Sequence, residues 1–425
     1  MIKRKIILLM IVLAVAGITQ AATEQEKRDA IDAGLAYLAT TQNASGSFAG
    51  GGIDYELAQT GSAVLAFLKE KPNWGANAVA YQAVVDAGVN YILSNASVVG
   101  IGVQPAGNPD GDGNGIGVKL YPGSANGRDT YVTGICLPAI ASTGTPNALV
   151  TVGDLASRTD GSGAGGAWTY KDVVQNTVDY FAYGQVDSGS GEGGWRYFAN
   201  YGDSDQSTTQ WPVITGAYAS LMGVSYPGYV KTELAKWTNY IQNPGTGAAG
   251  YDGPYSANGE MNETGALLIM QDFLNWDVSD PKVQAAIAYL NSNWQSGAGG
   301  TWDGNFGHPY AMWAIYKGLE STIGLDVDNL TGITNLHTDP GDVDNPNHDW
   351  NWWEDYCEWL VSQQNGNGSW NGYDYWGAGL ATPWFINILA ATEIPDVNVP
   401  VPGAFLLGSI GLAFACRKLR RRKEL

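Results

Sequence analysis

Four stretches of the chain place a carboxylate four residues ahead of a threonine: Glu56 before Thr60, Asp129 before Thr133, Asp205 before Thr209 and Glu260 before Thr264. A fifth acid, Asp374, stands in the same way ahead of Ala378. The residues that follow each acid are mostly apolar, so each acid reads as the start of a buried helix. A carboxylate is favourable at the positive end of a helix and, as N-cap, accepts from its free backbone N–H groups. Gathered at one mouth of a larger assembly, five such acids would favour a cation, a sugar or a basic peptide. His308, in Phe306-Gly307-His308-Pro309-Tyr310, holds the corresponding place once and is the one break in the series. It reads either as a helix-start hydrogen bond or as a functional group at the mouth.

Two further clusters suggest metal chemistry. Asn108-Pro109-Asp110-Gly111-Asp112-Gly113-Asn114 resembles the ligand spacing of a calcium loop. It lacks the distal Glu of a complete loop of that kind, so it reads as a polar surface loop. The acidic run from Asp339 to Asp349, with Asp342, Asp344 and His348, is open to the same two readings. With 3 Cys and 3 His there is no cysteine framework or zinc ribbon. No metal and no cofactor is expected. The formal charge of −19 argues against a nucleic-acid partner, which requires a basic face.

The elements that must position these residues come in pairs. From Trp353 to Leu389 a helix reaching about Gln363 passes through a Gly/Asn/Ser turn into a second apolar helix. The same unit recurs upstream. Amphipathic outer helices are expected at 30–41, 83–94, 171–185, 231–242 and 283–295. Mostly apolar inner helices follow from Asp54, Asp129, Asp205, Glu260 and Tyr310. The connection from Gly100 to Arg128 reads as one long loop. Six pairs predict an all-α fold, a closed (α/α)6 toroid, in which stacking and ring closure bury what no single pair can. The 57 Gly and 16 Trp fit many tight turns and aromatic packing.

The two ends are of another kind. Lys3-Arg4-Lys5, the apolar run Ile6 to Ile18 and the small residues Ala21-Ala22 read as a secretory signal peptide. At the other end, Val399-Pro400-Val401-Pro402 leads into a short apolar segment and a cluster running from Arg417 to Lys423. This tail resembles the PEP-CTERM sorting signal in a VPVP variant. That resemblance implies an exosortase-type partner that removes the tail; a plain single-span anchor is the other reading. Either places the body outside the cytoplasm, with membrane contact through the terminal segments before processing. The domains are then a signal peptide at 1–22, a toroid at 25–392 and a sorting or anchor segment at 399–425.

Turns of the form Gln42/Gly46/Phe48, Gln364/Gly368/Trp370 and Gln295/Gly299/Trp302 resemble the QW turns of the squalene cyclase and protein prenyltransferase superfamily. The resemblance spans nearly all of 25–392 and speaks for the toroid, not for a reaction. It implies that Asp205 would be the proton donor of a terpene cyclase. Asp203 would stand beside it in the D-x-D-D pattern, whose last acid is Gln206 here. It also implies a zinc at Asp355-Tyr356-Cys357, but His308, His337 and His348 all precede that pair. Gly134-Ile135-Cys136-Leu137 does not match the thioester run of a third toroid group. The expectation is an exported, surface-sorted toroid that binds an unknown ligand at its mouth, through residues such as Glu56, Asp129, Glu260, His308 and Asp374. The alternatives are a cyclase-like enzyme using Asp205 and a glycan-active toroid with Trp and Tyr around the cleft.

Overall fold

The computed structural model describes residues 22–48, 52–123, 127–256, 259–300, 302–325, 332–337 and 351–396. The signal segment up to residue 21, the tail at 399–425 and the acidic loop carrying Asp339, Asp342, Asp344 and His348 lie outside them.

Twelve α-helices lie among the described residues. Six are outer: α1 (Glu24–Thr41), α3 (Ala78–Ser94), α5 (Tyr170–Gly184), α7 (Gly228–Ile241), α9 (Pro281–Asn293) and α11 (Trp352–Gln363). Six are inner: α2 (Ile53–Lys69), α4 (Asp129–Ala141), α6 (Gln206–Ala219), α8 (Glu260–Phe273), α10 (Pro309–Thr322) and α12 (Ala378–Leu389). Each inner helix packs on the next, and α12 packs back on α2, so the ring closes. The fold is the all-α toroid of six helix pairs, here numbered units 1 to 6. Because every inner helix begins where an outer one ends, the inner N-termini share one end of the ring.

Burial follows from this placement. Every residue from Leu57 to Leu68 in α2 and from Pro309 to Glu320 in α10 is buried, as expected for helices covered on all sides. In α1 only one stripe is buried, from Lys27 through Ala30, Ile31 and Gly34 to Leu35 and Leu38. No helix among the described residues is long and apolar enough to cross a membrane.

The turns are stitched by one device used four times. The Gln that ends an outer helix donates from Nε2 to the turn carbonyl and to a backbone carbonyl of the neighbouring outer helix. Gln42 reaches Gly46 and Val84, Gln185 reaches Gly193 and Val230, Gln242 reaches Gly247 and Lys282, and Gln364 reaches Gly368 and Ala30. The turn glycine must be glycine. At Gly193, with φ of 88°, an added Cβ would lie 1.9 Å from the carbonyl oxygen of Glu233 in the next outer helix. The last of the four joins α11 to α1 and so closes the ring on its outside.

The threonines have a matching task. Thr60, Thr209 and Thr264 donate their hydroxyls to the carbonyls of Glu56, Asp205 and Glu260. The same oxygens accept the N–H of Phe48, Trp195 and Ala249 in the preceding turn. Thr133 receives Leu120 and Thr382 receives Trp370 in the same way. Each hydroxyl thereby ties a turn to its inner helix and satisfies a buried donor that would cost about 1–3 kcal/mol if left unpaired.

Three sequence-based placements are corrected. Within the expected long loop, β1 (Ser97–Gly100) and β2 (Ile116–Lys119) form an antiparallel hairpin, Ser97 opposite Lys119, and β2 packs on α5. In unit 6 the threonine is Thr382, so Ala378, not Asp374, occupies the carboxylate position. In unit 5 Gln295 donates to Asn335 and Leu336. Its Trp302 is 47% exposed, while Phe306 packs inward against Trp294. Cys136 and Cys357 are both buried and unpaired.

Candidate functional site

The shared N-terminal end of the inner helices is where the candidate acids were expected to form a rim. Most are engaged in holding the fold. Glu56 accepts from the Tyr91 hydroxyl at 2.7 Å and Glu260 from the Tyr289 hydroxyl at 2.8 Å. Asp129 is buried and meets both Tyr180 (2.9 Å) and the buried ammonium of Lys119 (3.1 Å). In all three the tyrosine comes from the next unit's outer helix. The expected open rim of five carboxylates is therefore largely an internal set of unit-to-unit ties. Tyrosine hydroxyls on the outer helices engage all three acids, of which Asp129 is buried and Glu56 and Glu260 are half-buried.

Asp205 is the N-cap of α6. Its carboxylate accepts from the Thr208 N–H at 2.7 Å and the Ser207 hydroxyl at 2.7 Å, and Arg196 lies 3.6 Å away. Arg196 also binds the more exposed Asp203 at 2.8 Å. Burial is the largest influence on Asp205 and holds its carboxyl above the usual range, against the pull of Ser207, the Thr208 N–H and Arg196. A raised acid is one requirement for proton donation, but space for a substrate is another. The void in the ring centre, lined by Trp211, Trp313, Trp384, Tyr218 and Lys317, measures about 20 Å³, and Asp205 does not line it. That is room for about one water, where a ligand pocket takes roughly 300–1,000 Å³. The centre is plugged by stacked Trp211 and Trp384 and by the Lys317 ammonium 4.3 Å from the Trp211 ring. The geometry of Asp205 fits a helix cap.

His308 likewise caps α10, accepting from the Ala311 N–H through Nδ1 at 3.3 Å. It is fully buried under Tyr373 and Trp376, whose rings lie 5.1 and 4.7 Å from the imidazole. At Asp355, the Trp294 indole N–H and the His337 N–H occupy one carboxylate oxygen at 2.7 and 2.6 Å. No histidine joins it with Cys357, so the prenyltransferase-type zinc set does not assemble among the described residues.

Asp374 differs from the other rim candidates. It lies exposed in the tight turn Tyr373–Trp376 with φ of 49°. Beside it Tyr375, 52% exposed, stacks on Trp302 with centroids 5.4 Å apart and planes at 28°. Trp376 meets Trp302 edge-on and stacks on Tyr310 below. Asp303, next to Trp302, is exposed as well. The mouth therefore presents an aromatic platform flanked by two carboxylates, contributed by the turns of units 5 and 6. A cleft of about 460 Å³ lies elsewhere, between the end of α3 and residues 154–158, and none of these candidates lines it.

No family model matches the chain, and no curated protein matches it significantly. Among solved structures, the chain resembles the type II terpene cyclase MstE from Scytonema, with 13% identity and a TM-score of 0.47 over 86% of this chain and 98% of that one. It resembles a protein from Actinoplanes at 13% identity and 0.43, over 86% and 98%. Hormoconis resinae glucoamylase follows at 11% and 0.42, over 89% and 76%. At these values the likeness carries no argument about activity. The toroid stands on the closed ring itself.

Sequence reasoning missed two features of this end. One is the platform, because Trp302 was assigned to turn packing; the aromatic spacing Trp302 to Phe306 was the available signal. The other is Glu263, one turn beyond Glu260 and buried close to Asp205. Burial, with Asp205 adding to it, holds its carboxyl well above the usual range. Nothing in the sequence separates Glu263 from an ordinary helix glutamate.

Proposed function

We propose that this protein is an exported, surface-sorted toroid, related in architecture to the squalene cyclase and prenyltransferase group, that binds a polyhydroxylated ligand of carbohydrate type at its mouth and does not cyclise terpenes. The observation that carries the reading is the exposed Trp302–Tyr375 stack flanked by Asp303 and Asp374. Aromatic faces suit the apolar face of a sugar ring, and carboxylates accept from its hydroxyls. The plugged centre supports the second half of the statement. Export rests on the basic-apolar-small pattern at 1–22. Surface sorting by an exosortase-type enzyme rests on the VPVP tail at 399–425.

The test is affinity electrophoresis of the protein through gels containing neutral polysaccharides, with Trp302→Ala and Asp374→Asn alongside. Retardation of the parent that is lost in Trp302→Ala and weakened in Asp374→Asn is the expected result. Equal mobility of parent and Trp302→Ala in every gel would sink the binding site. Incubation with squalene tests the other half: cyclised product that disappears in Asp205→Asn would overturn it.

A further inference from the structure

We propose that Asp110, Asp112 and Asp179 form a calcium-binding site that fastens the β1–β2 hairpin to α5. The loop between the two strands folds back onto α5, and one carboxylate oxygen from each of the three acids lies within 4.8 Å of the others. Asp179 comes from the helix, 68 positions beyond the Gly111 N–H it accepts from, and its side chain is fully buried. Its Oδ1 takes the Gly111 N–H at 3.1 Å and the Gln175 amide at 3.0 Å, whereas its Oδ2 has no partner among the described residues. A buried carboxylate with one oxygen unpaired, beside two further acids, is a costly arrangement unless a cation completes it.

The rest of the cluster supplies carboxylate oxygens, the ligand type calcium takes. Asp110 is held from behind by the N–H groups of Gly113, Asn114 and Gly115, at 2.8, 3.1 and 2.8 Å. Asn114 and the buried Asn176, one helical turn before Asp179, share amide contacts with Asp112. Asn114 Oδ1 is taken by the Ile116 N–H, and Asn176 Nδ2 also donates to the Asp172 carbonyl. Calcium takes six to eight oxygens, from carboxylates binding through one or both oxygens and from water, so three carboxylates can form the protein side of such a site. The spacing Asp110, Asp112, Asn114 and then Gly115, with φ of 74°, is that of the first half of a calcium loop. The distal acid that the sequence lacks at loop distance is supplied here by Asp179. This reading replaces the expectation of a solvated loop without metal.

Isothermal titration of the full chain, stripped with chelator, into CaCl2 tests it. One calcium per chain is expected, with a dissociation constant of about 10⁻⁵ to 10⁻³ M. Asp179→Asn should weaken it at least ~10-fold, as expected for loss of a direct ligand. Because Asp179 is buried, Asp112→Asn, in the exposed loop, serves as the variant whose folding is not in question; it should weaken binding comparably. Terbium luminescence, sensitised by neighbouring Tyr180, should appear in the parent and fall in both variants. Absence of calcium heat in the parent at 5 mM CaCl2 (about the weak limit for such sites) would overturn the proposal. So would affinity unchanged in Asp112→Asn.

Discussion

Units 1, 2 and 4 differ from units 3, 5 and 6 at one step of the inner helix, and the difference separates scaffold from surface. In the first set the threonine is followed by glycine: Gly61, Gly134 and Gly265. An added Cβ there would meet Cys136 Cα at 2.8 Å, Trp211 Cβ at 2.5 Å and the Ile315 N at 2.5 Å. These units let inner helices touch backbone to backbone, and their acids are tied by tyrosine. In the second set Gln210, Trp313 and Pro383 take the glycine's place. Their bulk and that of their neighbours fills the ring centre, and their mouth-side turns carry the buried cap His308 and the exposed Trp302–Tyr375 stack. Close approach at three units thus coexists with a plug and a platform at the other three.

The largest way to break this contrast is to crowd one of the close-packed units. Gly265→Val should cost about 3 kcal/mol or more, since backbone atoms of α10 cannot move aside, and urea unfolding reads the loss. Next, Thr209→Val and Thr264→Val should each cost about 1–3 kcal/mol by orphaning the buried N–H of Trp195 and Ala249. Equal losses in the two would show that the threonine tie serves both sets alike. A value near zero in either would remove it as a common device.

The plug itself is tested by Lys317→Met. Burial holds the Lys317 amine well below its ordinary value. The folded state therefore releases this proton at a lower pH than the unfolded state, which binds it up to about 10.4. Stability should rise with pH between those two values, by at most about 1.4 kcal/mol per unit from this group. The methionine variant should lack that rise and be as stable as the parent or more so at neutral pH. Lys69 shifts in the same direction but is present in both proteins, so the difference between their pH profiles isolates Lys317. Smallest of all, Asp205→Asn should change stability by less than about 1 kcal/mol, because asparagine caps a helix as well as aspartate. Asp205→Ala should cost about 1–2 kcal/mol. A large loss in Asp205→Asn would mean that its charge opposite Arg196, not the cap, is what matters.

The helices were legible because four of the outer ones end in Gln and a turn glycine, and because the inner ones are mostly apolar. Ten of the twelve starts fall close to the expected positions; α1 begins earlier, at a Thr23 capping box with Glu26, and α3 begins earlier, at Ala78. The acid-to-threonine spacing was visible too, but its reason was misplaced. The hydroxyl does the recurrent work, and the acid's own side chain serves differently in each unit. Asp374 was drawn into the series because the turn of unit 6 puts an unrelated acid four residues before Ala378. What was illegible is what distant segments build together. The plug needs residues from α6, α10 and α12, the platform needs two turns, and Asp179 meets Asp110 only because a hairpin folds back across α5.

The Gln364 bond to Ala30 has a consequence for how this chain comes apart. Beside it the Lys27 ammonium reaches Glu354 at 2.8 Å and lies 4.4 Å from the Trp353 ring. An open stack of helical repeats can lose its outermost repeat first, one interface at a time. Here every unit has two neighbours, so removing any one breaks two interfaces at once. Local fraying gives way to a single concerted opening. A cut at the α11–α1 junction would turn the ring into an arc with two loose ends.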